Sequence, residues 1–441
     1  MIAFLNHILA FLLGWPLLIY VLAISSLCTV FFSFVQIRYF FYAWRITLFP
    51  SKEELTATEN ADMTPFQAFI NTLSTNLGNG SIAGMATALY SGGPGAAVWV
   101  VIIGLLLMAV RFAEVYLSTY FGSRVNTKGS IGGPMLYLQE VWGGKYLARI
   151  YAVACLLFSL LIGNAMQTNS IRISLETTWR INPLVSAVVM LVFITYILFG
   201  GAQRIVKVSE KIVPLKVGVF SISTLIVLGY HYTAIMPALR LMLSAAFQPL
   251  ALAGGLIGFS VQQAMGFGIL RSIMATESGL GTAAIMFGST GSKEPVKDGI
   301  ISMLSTFIST VVCFVVALCI VASGVWDNGL TSTALTIASF HTVFGWFSGW
   351  VVSFLSITFG AGVLVAYAYI TREAWISVTG GRFMRLFSFV FCAVSFIGAL
   401  INANTVFALG DIVNATMLVV NLFGIAYLSP LIKKDLTAFK K

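Results

Sequence analysis

Long apolar runs that carry almost no charge constrain this chain more than any other feature. Of its 441 residues, 59% are hydrophobic and only 9% are charged, and its mean hydropathy is +0.95. A soluble domain carries about 25% charged residues, so this chain has too few charges to cover a surface in water. A helix that crosses a bilayer needs about 20 apolar residues. We therefore predict an all-α, multi-pass membrane protein of about eleven helices, with no room for a sizeable soluble domain.

The sequence lacks the motifs of several other function classes. Its five cysteines lie in apolar segments and form no C-x-x-C pair, which argues against a disulfide framework and a zinc site. It contains no H-E-x-x-H and no phosphate-binding G-x-x-x-x-G-K-[ST] loop. No nucleophile–base pair is apparent at membrane depth, so we expect no catalytic residues. A channel would show repeated pore-lining rings, which this chain does not suggest.

The positions of the basic residues predict the topology. The net charge of +10 comes from small groups of Lys and Arg between apolar runs, which is typical of topology determinants and not of nucleic-acid binding. The predicted spans are 14–36, 64–90, 95–122, 146–172, 183–200, 211–233, 243–270, 298–323, 345–372, 384–402 and 405–430. Placing the N-terminus outside and the tail, 431–441, inside puts nearly every basic group in the cytoplasm. The segment 324–345 is too polar to span and is predicted to be a short re-entrant or surface element.

The number of spans predicts an internal repeat. Residues 1–63 hold one helix and a cytoplasmic connector, and the other ten spans divide into 64–233 and 243–430. Because five is odd, the second set must have the inverted topology of the first. This is the five-plus-five inverted-repeat architecture of secondary transporters, with one extra helix in front.

Glycine-rich polar stretches predict a helix break at the start of each repeat. The first stretch runs from Asn71 to Gly84 and the second from Gly254 to Gly268. Non-helical backbone within a bilayer persists only where it lines a cavity or is buried in protein. The freed amides suit a carboxylate and the freed carbonyls suit a small cation. The alternative is that these glycines serve close helix packing, which is all that we expect of Gly104 and Gly398.

Several separate stretches resemble the alanine or glycine:cation symporter family, also called the sodium:alanine symporters. The stretches that carry the resemblance are Ser74 to Gly84, Gly92-Gly93-Pro94-Gly95-Ala96, Arg111-Phe112-Ala113-Glu114, Gly132-Gly133-Pro134-Met135, Gln167-x-Asn169-Ser170-Ile171, Arg271 through Thr282, and Pro295-Val296 with Gly299. Their order and spacing extend the resemblance over nearly the whole chain. It implies the LeuT-like form of the inverted-repeat fold.

The resemblance implies a substrate site between the two broken helices. Its residues would be Thr75, Gly78, Asn79, Gly80, Gln167, Gln263, Phe267, Gly362 and Ala366. In this interpretation Phe267, Gly362 and Ala366 form the pocket for the substrate side chain. The alternatives are that Phe267 is a packing aromatic and that Gln167 and Asn169 only hydrogen-bond neighbouring helices.

Three further ionisable groups stand out. Glu277 is expected to end the second broken helix near the cytoplasm, as a cap or in a gate ion pair. Arg111 and Glu114 are three residues apart, which predicts a local ion pair. Asp411 lies in the last helix, where an ionisable residue is costly and often functional, and the sequence gives it no specific role.

The chain departs from the family's pattern at the implied site. Asn76, Asn79 and Ser81 replace the residues usual in the first break, and Gly266 and Thr276 stand where the second broken helix usually has Arg and Asn. In the eighth repeat helix, Ala361 and Gly362 replace two threonines and Ala366 replaces a tryptophan. The last change would enlarge the pocket for a bulkier substrate.

Loss of the two threonines bears on the coupling ion. In transporters of this architecture such hydroxyls help to hold sodium, and Asn76, Ala361 and Gly362 mark the corresponding place here. Lys216 lies near it, and a lysine ammonium can occupy a cation site and release its proton when desolvated. Lys216 is therefore a candidate for proton coupling. The alternative is that its side chain snorkels to the cytoplasmic interface.

The leading hypothesis is a secondary amino-acid symporter in the inner membrane of a prokaryote. The resemblance implies coupling to Na⁺, with H⁺ as the alternative, and a small neutral substrate such as alanine or glycine. Two other hypotheses remain: a non-transporting amino-acid sensor with a degenerate site, and a proton-coupled carrier of a bulkier amino acid. No cofactor, nucleic acid or obligatory protein partner is expected.

Overall fold

The computed structural model describes residues 14–50, 61–124, 132–248, 250–251, 258–401 and 403–439. In these ranges the regular structure is helical except for one small antiparallel hairpin, β1 (Leu250–Ala251) with β2 (Gly258–Phe259). Six helical segments are long and apolar enough to cross a membrane: Ala96–Gly122, Gly144–Trp179, Gly201–Tyr230, Pro295–Ala322, Ser332–Thr379 and Leu409–Ala438. The prediction of a helical, multi-pass membrane architecture agrees with these elements.

The α-helices are numbered here in chain order. Up to residue 247 they are α1 (Trp15–Phe31), α2 (Val35–Arg38), α3 (Phe40–Leu48), α4 (Pro65–Asn76), α5 (Met85–Gly92), α6 (Ala96–Gly122), α7 (Pro134–Tyr137), α8 (Gly144–Phe158), α9 (Met166–Trp179), α10 (Pro183–Leu198), α11 (Gly201–Tyr230) and α12 (Tyr232–Phe247). Two π-helical turns, Gly80–Gly84 and Ser159–Ala165, lead into α5 and α9.

The remaining helices follow the hairpin. They are α13 (Val261–Thr276), α14 (Thr282–Gly288), α15 (Pro295–Ala322), α16 (Ser332–Phe344), α17 (Ser348–Thr379), α18 (Met384–Leu400) and α19 (Ala403–Ala438). Short 3₁₀ turns occur at Leu138–Glu140 and Gly345–Phe347. The polar segment expected at 324–345 contains α16, which packs against the Gly80–Gly84 turn and α5.

Local sequence explains where the two interrupted helices begin. Thr64 caps α4 and Ser260 caps α13, each accepting a hydrogen bond from the backbone three residues later. In both cases the residue at that third position, Gln67 or Gln263, returns a side-chain bond to the backbone of the cap. Such reciprocal capping satisfies two amides that a helix start leaves unpaired.

The first predicted break is present, and the second lies elsewhere. Residues 77–79 separate α4 from the Gly80–Gly84 turn, as predicted. The predicted break at 254–268 is wrong for its described part, because α13 runs unbroken through Gly266 and Gly268; residues 254–257 lie outside the described ranges. The interruption instead falls between Thr276 and Thr282.

Packing explains why the glycines of α13 do not break it. A Cβ on Gly268 would lie 2.4 Å from Cβ of Trp99, so this glycine permits close contact with α6. By contrast, Gly279 and Gly281 have φ values of 89° and 83°, which side chains rarely adopt. Positive φ, and not glycine content alone, marks the second break.

Of the predicted spans, two differ most from the structure, 243–270 and 211–233. The predicted span 243–270 is wrong, because α12 ends at Phe247 and α13 begins only at Val261. The predicted span 211–233 begins earlier, at Gly201. Arg204 is accommodated in that first turn because its guanidinium donates to the Tyr196 carbonyl and lies 4.5 Å from the tyrosine ring centroid.

The core is built on the contact between α6 and α15. Gly104 of α6 allows the close approach, because a Cβ there would lie 2.3 Å from Thr310 Oγ1. Gly398 of α18 likewise lies against Ala165, with its hypothetical Cβ 2.5 Å from the Ala165 Cα. The packing role predicted for these two glycines is confirmed.

Candidate functional site

The first break exposes backbone carbonyls at the end of α4. Gly78 is forced to be small, because a Cβ there would lie 2.8 Å from Val363 of α17. Thr75 and Asn76 are buried beside it, and the Asn76 Nδ2 has no hydrogen-bond partner. The Ser74 hydroxyl donates to the Gly362 carbonyl of α17 at 2.9 Å. The break is therefore held against α17.

Lys216 of α11 fills the space beside these carbonyls. Its Nζ donates to the carbonyl oxygens of Ser74 and Leu77 at 2.9 and 2.8 Å. Its side chain is fully buried, so the snorkelling alternative is wrong. Gly362 leaves the room that the ammonium needs, since a Cβ there would lie 2.7 Å from Nζ. The Lys216 amine thus occupies a place made of helix-end carbonyls.

The second break is held by α6. Glu114 accepts hydrogen bonds from the backbone amides of Gly279 and Gly281 at 3.0 and 3.1 Å. Arg111 forms the predicted ion pair with Glu114, at 2.7 Å, and also donates to the Thr276 carbonyl. The pair therefore satisfies backbone groups on both sides of the interruption, a role that the three-residue spacing alone did not indicate.

Glu277 ends α13, as predicted, but within the buried break. Its φ is 52°, and it is 7% exposed. The hydroxyls of Tyr367 and Thr282 donate to its carboxylate at 2.7 and 2.9 Å. In the described residues it forms no ion pair, so the gate interpretation is wrong for this conformation.

One hydroxyl joins the two breaks. Ser309 of α15 donates to the Ala275 carbonyl at 2.6 Å and to the Asn76 carbonyl at 3.5 Å. These carbonyls lie in the last turns of α13 and α4 respectively. The ends of the two interrupted helices therefore meet at Ser309 of α15.

Asn79 connects the first break to two other helices. Its Oδ1 accepts from Ser356 of α17 at 2.8 Å, and its Nδ2 lies 3.5 Å from Gln167 Oε1 of α9. Asn169 instead donates to the carbonyls of Gly398 and Ile401. Gln167 thus faces the break, whereas Asn169 fastens neighbouring helices.

The structure does not gather all the predicted substrate residues. Gln263 is exposed and forms part of the cap of α13. Phe267 packs against Gly92 of α5, where an added Cβ would lie 3.0 Å from the Phe267 Cβ. Gly92 lies twelve residues after Gly80, which corresponds to about 18 Å along a helix. Ala366 is fully buried in α17 and Ala361 is partly buried. The predicted pocket of Phe267 with Gly362 and Ala366 is therefore not assembled in this conformation.

Two further charged groups are Asp411 of α19 and Arg271 of α13. Asp411 lines a small cavity between α1, α13 and α19, together with Asn414, whose Oδ1 has no hydrogen-bond partner. Arg271 of α13 is buried beside the Gly80–Gly84 turn, and sequence reasoning did not single it out. Its spacing of four residues from Phe267, on the same helix face, was the available signal.

Comparison with known proteins identifies similar chains. The profile of the sodium:alanine symporter family matches residues 1–441. An uncharacterized transporter of Haemophilus influenzae is 30% identical, with 98% of this chain and 94% of that protein covered. The sodium/alanine symporter AgcS of Methanococcus maripaludis is 28% identical, with 100% and 97% covered. The probable sodium/glutamine symporter GlnT of Bacillus subtilis is 28% identical, with 97% and 89% covered.

A solved structure supports the fold. The crystal structure of a manganese transporter mutant of Eremococcus coleocola matches with a TM-score of 0.50 at 12% identity, covering 84% of this chain and 78% of that one. At this identity the match concerns the fold alone. The described helices thus share the arrangement of a known transporter.

Proposed function

The chain belongs to the sodium:alanine symporter family. From this premise we propose that it is a cation-coupled secondary transporter. It would import a small neutral amino acid, such as alanine or glycine, by alternating access. Relatives named as amino-acid symporters support this class of function. The observation that carries the proposal is the pair of helix interruptions at 77–79 and 277–281, bridged by Ser309. Paired interruptions of this kind form the substrate sites of inverted-repeat transporters.

We propose the LeuT-like five-plus-five arrangement, with 64–233 and 243–430 as inverted repeats behind one extra helix. In support, each half contains a capped, interrupted helix that is followed by a long one, α6 or α15. An N-terminus outside and a C-terminus inside the cytoplasmic membrane agree with the basic residues.

The substrate would lie at the first break. Its carboxylate would meet the backbone amides around Gly78, Asn79 and Gly80, and its ammonium the carbonyls that the breaks expose. The Gln167 amide, 3.5 Å from Asn79, would help to position it.

We propose that Lys216 replaces the coupling sodium ion, so that H⁺ drives transport. The Nζ distances of 2.9 and 2.8 Å to the Ser74 and Leu77 carbonyls support this, because they give the ammonium the oxygen ligands that a hard cation would take. Coupling to Na⁺, as in the named relatives, is the second candidate.

Uptake of labelled L-alanine and glycine into proteoliposomes tests these proposals. We expect uptake without sodium when the lumen is alkaline, and no stimulation by a sodium gradient at equal pH. Strict sodium dependence at fixed pH would contradict proton coupling. Specific binding without uptake would favour the sensor, and uptake of only larger amino acids would favour the bulkier-substrate carrier.

A further inference from the structure

Arg271 is a buried cation whose hydrogen-bonding capacity is mostly unused. Its side chain is 7% exposed, and its Nε and Nη2 atoms have no hydrogen-bond partner. Among the described residues no carboxylate forms an ion pair with it, and its polar neighbour is the thiol of Cys313. Arginine stays charged in proteins, and a buried charge without a partner is strongly destabilising. The guanidinium therefore has unused donors that an anion could satisfy.

The position of the guanidinium coincides with the first break. A Cβ on Gly80 would lie 2.8 Å from Nη2, and a Cβ on Gly84 would lie 1.7 Å from Nη1. The cation therefore lies directly over the π-helical turn, in space that exists only because both residues are glycine. This turn opens the half-helix that continues as α5, whose start carries a partial positive charge. Guanidinium and helix start together favour a negative group at one place.

One face of α13 leads from the outside of the bundle to this place. Gln263, Phe267 and Arg271 follow each other at intervals of four residues, which places them on one side of a helix. Along this face Gln263 is exposed, Phe267 is 37% exposed and Arg271 is 7% exposed. Burial therefore increases along this face, and Arg271 lies at its buried end.

We propose that Arg271 binds the α-carboxylate of the transported amino acid, an inference that rests on the proposed function and specifies the chemistry of its substrate. The ammonium of the substrate remains for the carbonyls of the breaks. A free carboxylate is then obligatory: L-alaninamide is not a substrate, whereas propionate, which has a carboxylate and no ammonium, binds and competes.

Calorimetric binding to the purified full-length protein tests this assignment with L-alanine, L-alaninamide and propionate. In Arg271→Gln we expect the affinities for L-alanine and propionate to fall about ten- to a hundred-fold, as for a lost charge-assisted hydrogen bond. The weak binding of L-alaninamide stays unchanged. Replacing chloride by methanesulfonate leaves wild-type affinities unchanged, whereas an effect that follows chloride would make Arg271 a halide site and overturn the proposal.

A second variant covers the case in which Arg271→Gln does not fold. Gly80→Ala keeps the arginine and displaces its guanidinium, so it weakens carboxylate binding in the same direction. Gly218→Ala in α11 is the matched control, because a Cβ there meets no atom within 4 Å. Wild-type affinity for L-alanine in Arg271→Gln, or equal losses for L-alanine and L-alaninamide, overturns the proposal. So does a wild-type protein that binds neither L-alanine nor propionate.

The outcome separates this inference from the proposed function. Absence of amino-acid uptake by the wild type, with propionate binding that needs Arg271, contradicts the transport function and leaves the carboxylate site standing. Normal L-alanine uptake by Arg271→Gln contradicts only the role of Arg271.

Discussion

Gly362 shows how a missing side chain can define a site. Its absent Cβ would lie 2.7 Å from Lys216 Nζ and 3.0 Å from Ser74 Oγ. Gly362→Ala is therefore expected to push the ammonium off the Ser74 and Leu77 carbonyls and to lower amino-acid uptake at least about tenfold, because a lost charged hydrogen bond is worth about 1.5–3 kcal/mol. Uptake into proteoliposomes measures the effect.

The matched control for this variant lies in the same helix. A Cβ on Gly349 of α17 meets no atom within 4 Å, so Gly349→Ala should transport like the wild type. Equal activity of the two alanine variants would show that the position of the ammonium does not limit transport.

Removal of the Lys216 charge tests coupling directly. Lys216→Met keeps much of the side-chain volume but cannot carry a proton, so we expect substrate accumulation driven by a pH gradient to disappear. Gradient-driven uptake at several lumenal pH values is the measurement. An unchanged pH dependence in Lys216→Met would rule out this amine as the proton carrier.

Residue patterns predicted one break and misplaced the other. Gly78 and Gly80 are two apart, and so are Gly279 and Gly281. The same spacing therefore occurs at both breaks. The second break was nevertheless predicted at 254–268, because that segment contains more glycines. A glycine that admits a neighbouring helix, such as Gly268, cannot be told from one that needs a positive φ until the packing is known.

Among the helices, α6 stabilises the second interruption through Glu114 and Arg111. Glu114 is fully buried and accepts from two backbone amides, from Arg111 and from Asn421. We expect Glu114→Gln to destabilise the protein by about 3–5 kcal/mol, since breaking a buried ion pair leaves a charge without its partner. Thermal unfolding in detergent measures the loss.

A surface pair provides the comparison. Arg172 and Glu176 in α9 also form an ion pair, but the Glu176 side chain is 44% exposed. Glu176→Gln should therefore cost less than about 1 kcal/mol. Similar unfolding temperatures for the Glu114 and Glu176 variants would contradict the stabilising role of Glu114.

Close packing of α6 on α15 gives a second prediction about elements. Gly104→Val would drive a branched side chain into Thr310, so a loss of about 1–3 kcal/mol is expected from overpacking. Gly229→Ala in α11, where a Cβ meets no atom within 4 Å, should be nearly neutral. Unfolding midpoints that do not separate these two variants would contradict the packing role of Gly104.

Hydropathy predicted most elements because a membrane demands continuous apolar runs. The spans expected at 95–122 and 183–200 correspond to Ala96–Gly122 and Pro183–Leu198 within two residues at each end. The run at 243–270 failed because apolar character persists through α12, the hairpin region and α13, while the backbone changes direction between them. Hydropathy alone does not record such turns.

Across the whole molecule, an ion pair ties the segment before the first broken helix to the end of α17. Arg372 lies 3.0 Å from Asp62, and the Tyr369 hydroxyl donates to the same carboxylate at 3.1 Å. We expect Arg372→Gln to favour opening at this end about fivefold at most, since an exposed pair contributes about 1 kcal/mol or less.

Cysteine alkylation checks this expectation. A Thr75→Cys probe, in α4 beside the first break, should react faster with a membrane-impermeant thiol reagent when Arg372→Gln is present than when it is absent. The reagent is added on the side of the membrane where Arg372 lies. Equal alkylation rates with and without Arg372→Gln would show that the ion pair of Arg372 with Asp62 does not restrain opening.

The membrane class of the protein was the most predictable level and the site the least. A helical, multi-pass architecture followed from hydropathy, whereas the contact of Lys216 with Ser74 joins residues 142 positions apart. No local pattern encodes such a distance. Lys216 was suspected only because the resemblance places it near the expected cation site, where a lysine ammonium could substitute for a metal ion.

The attachment of Lys216 to α11 has a bearing on what the cell gains and loses in each cycle. In the proposed proton coupling the amine stays attached to α11, and each cycle would release a proton but no sodium ion into the cytoplasm. Nutrient uptake would then add no sodium that the cell must expel. Such a carrier would keep transporting in fresh water, where a sodium symporter lacks the external sodium that drives it.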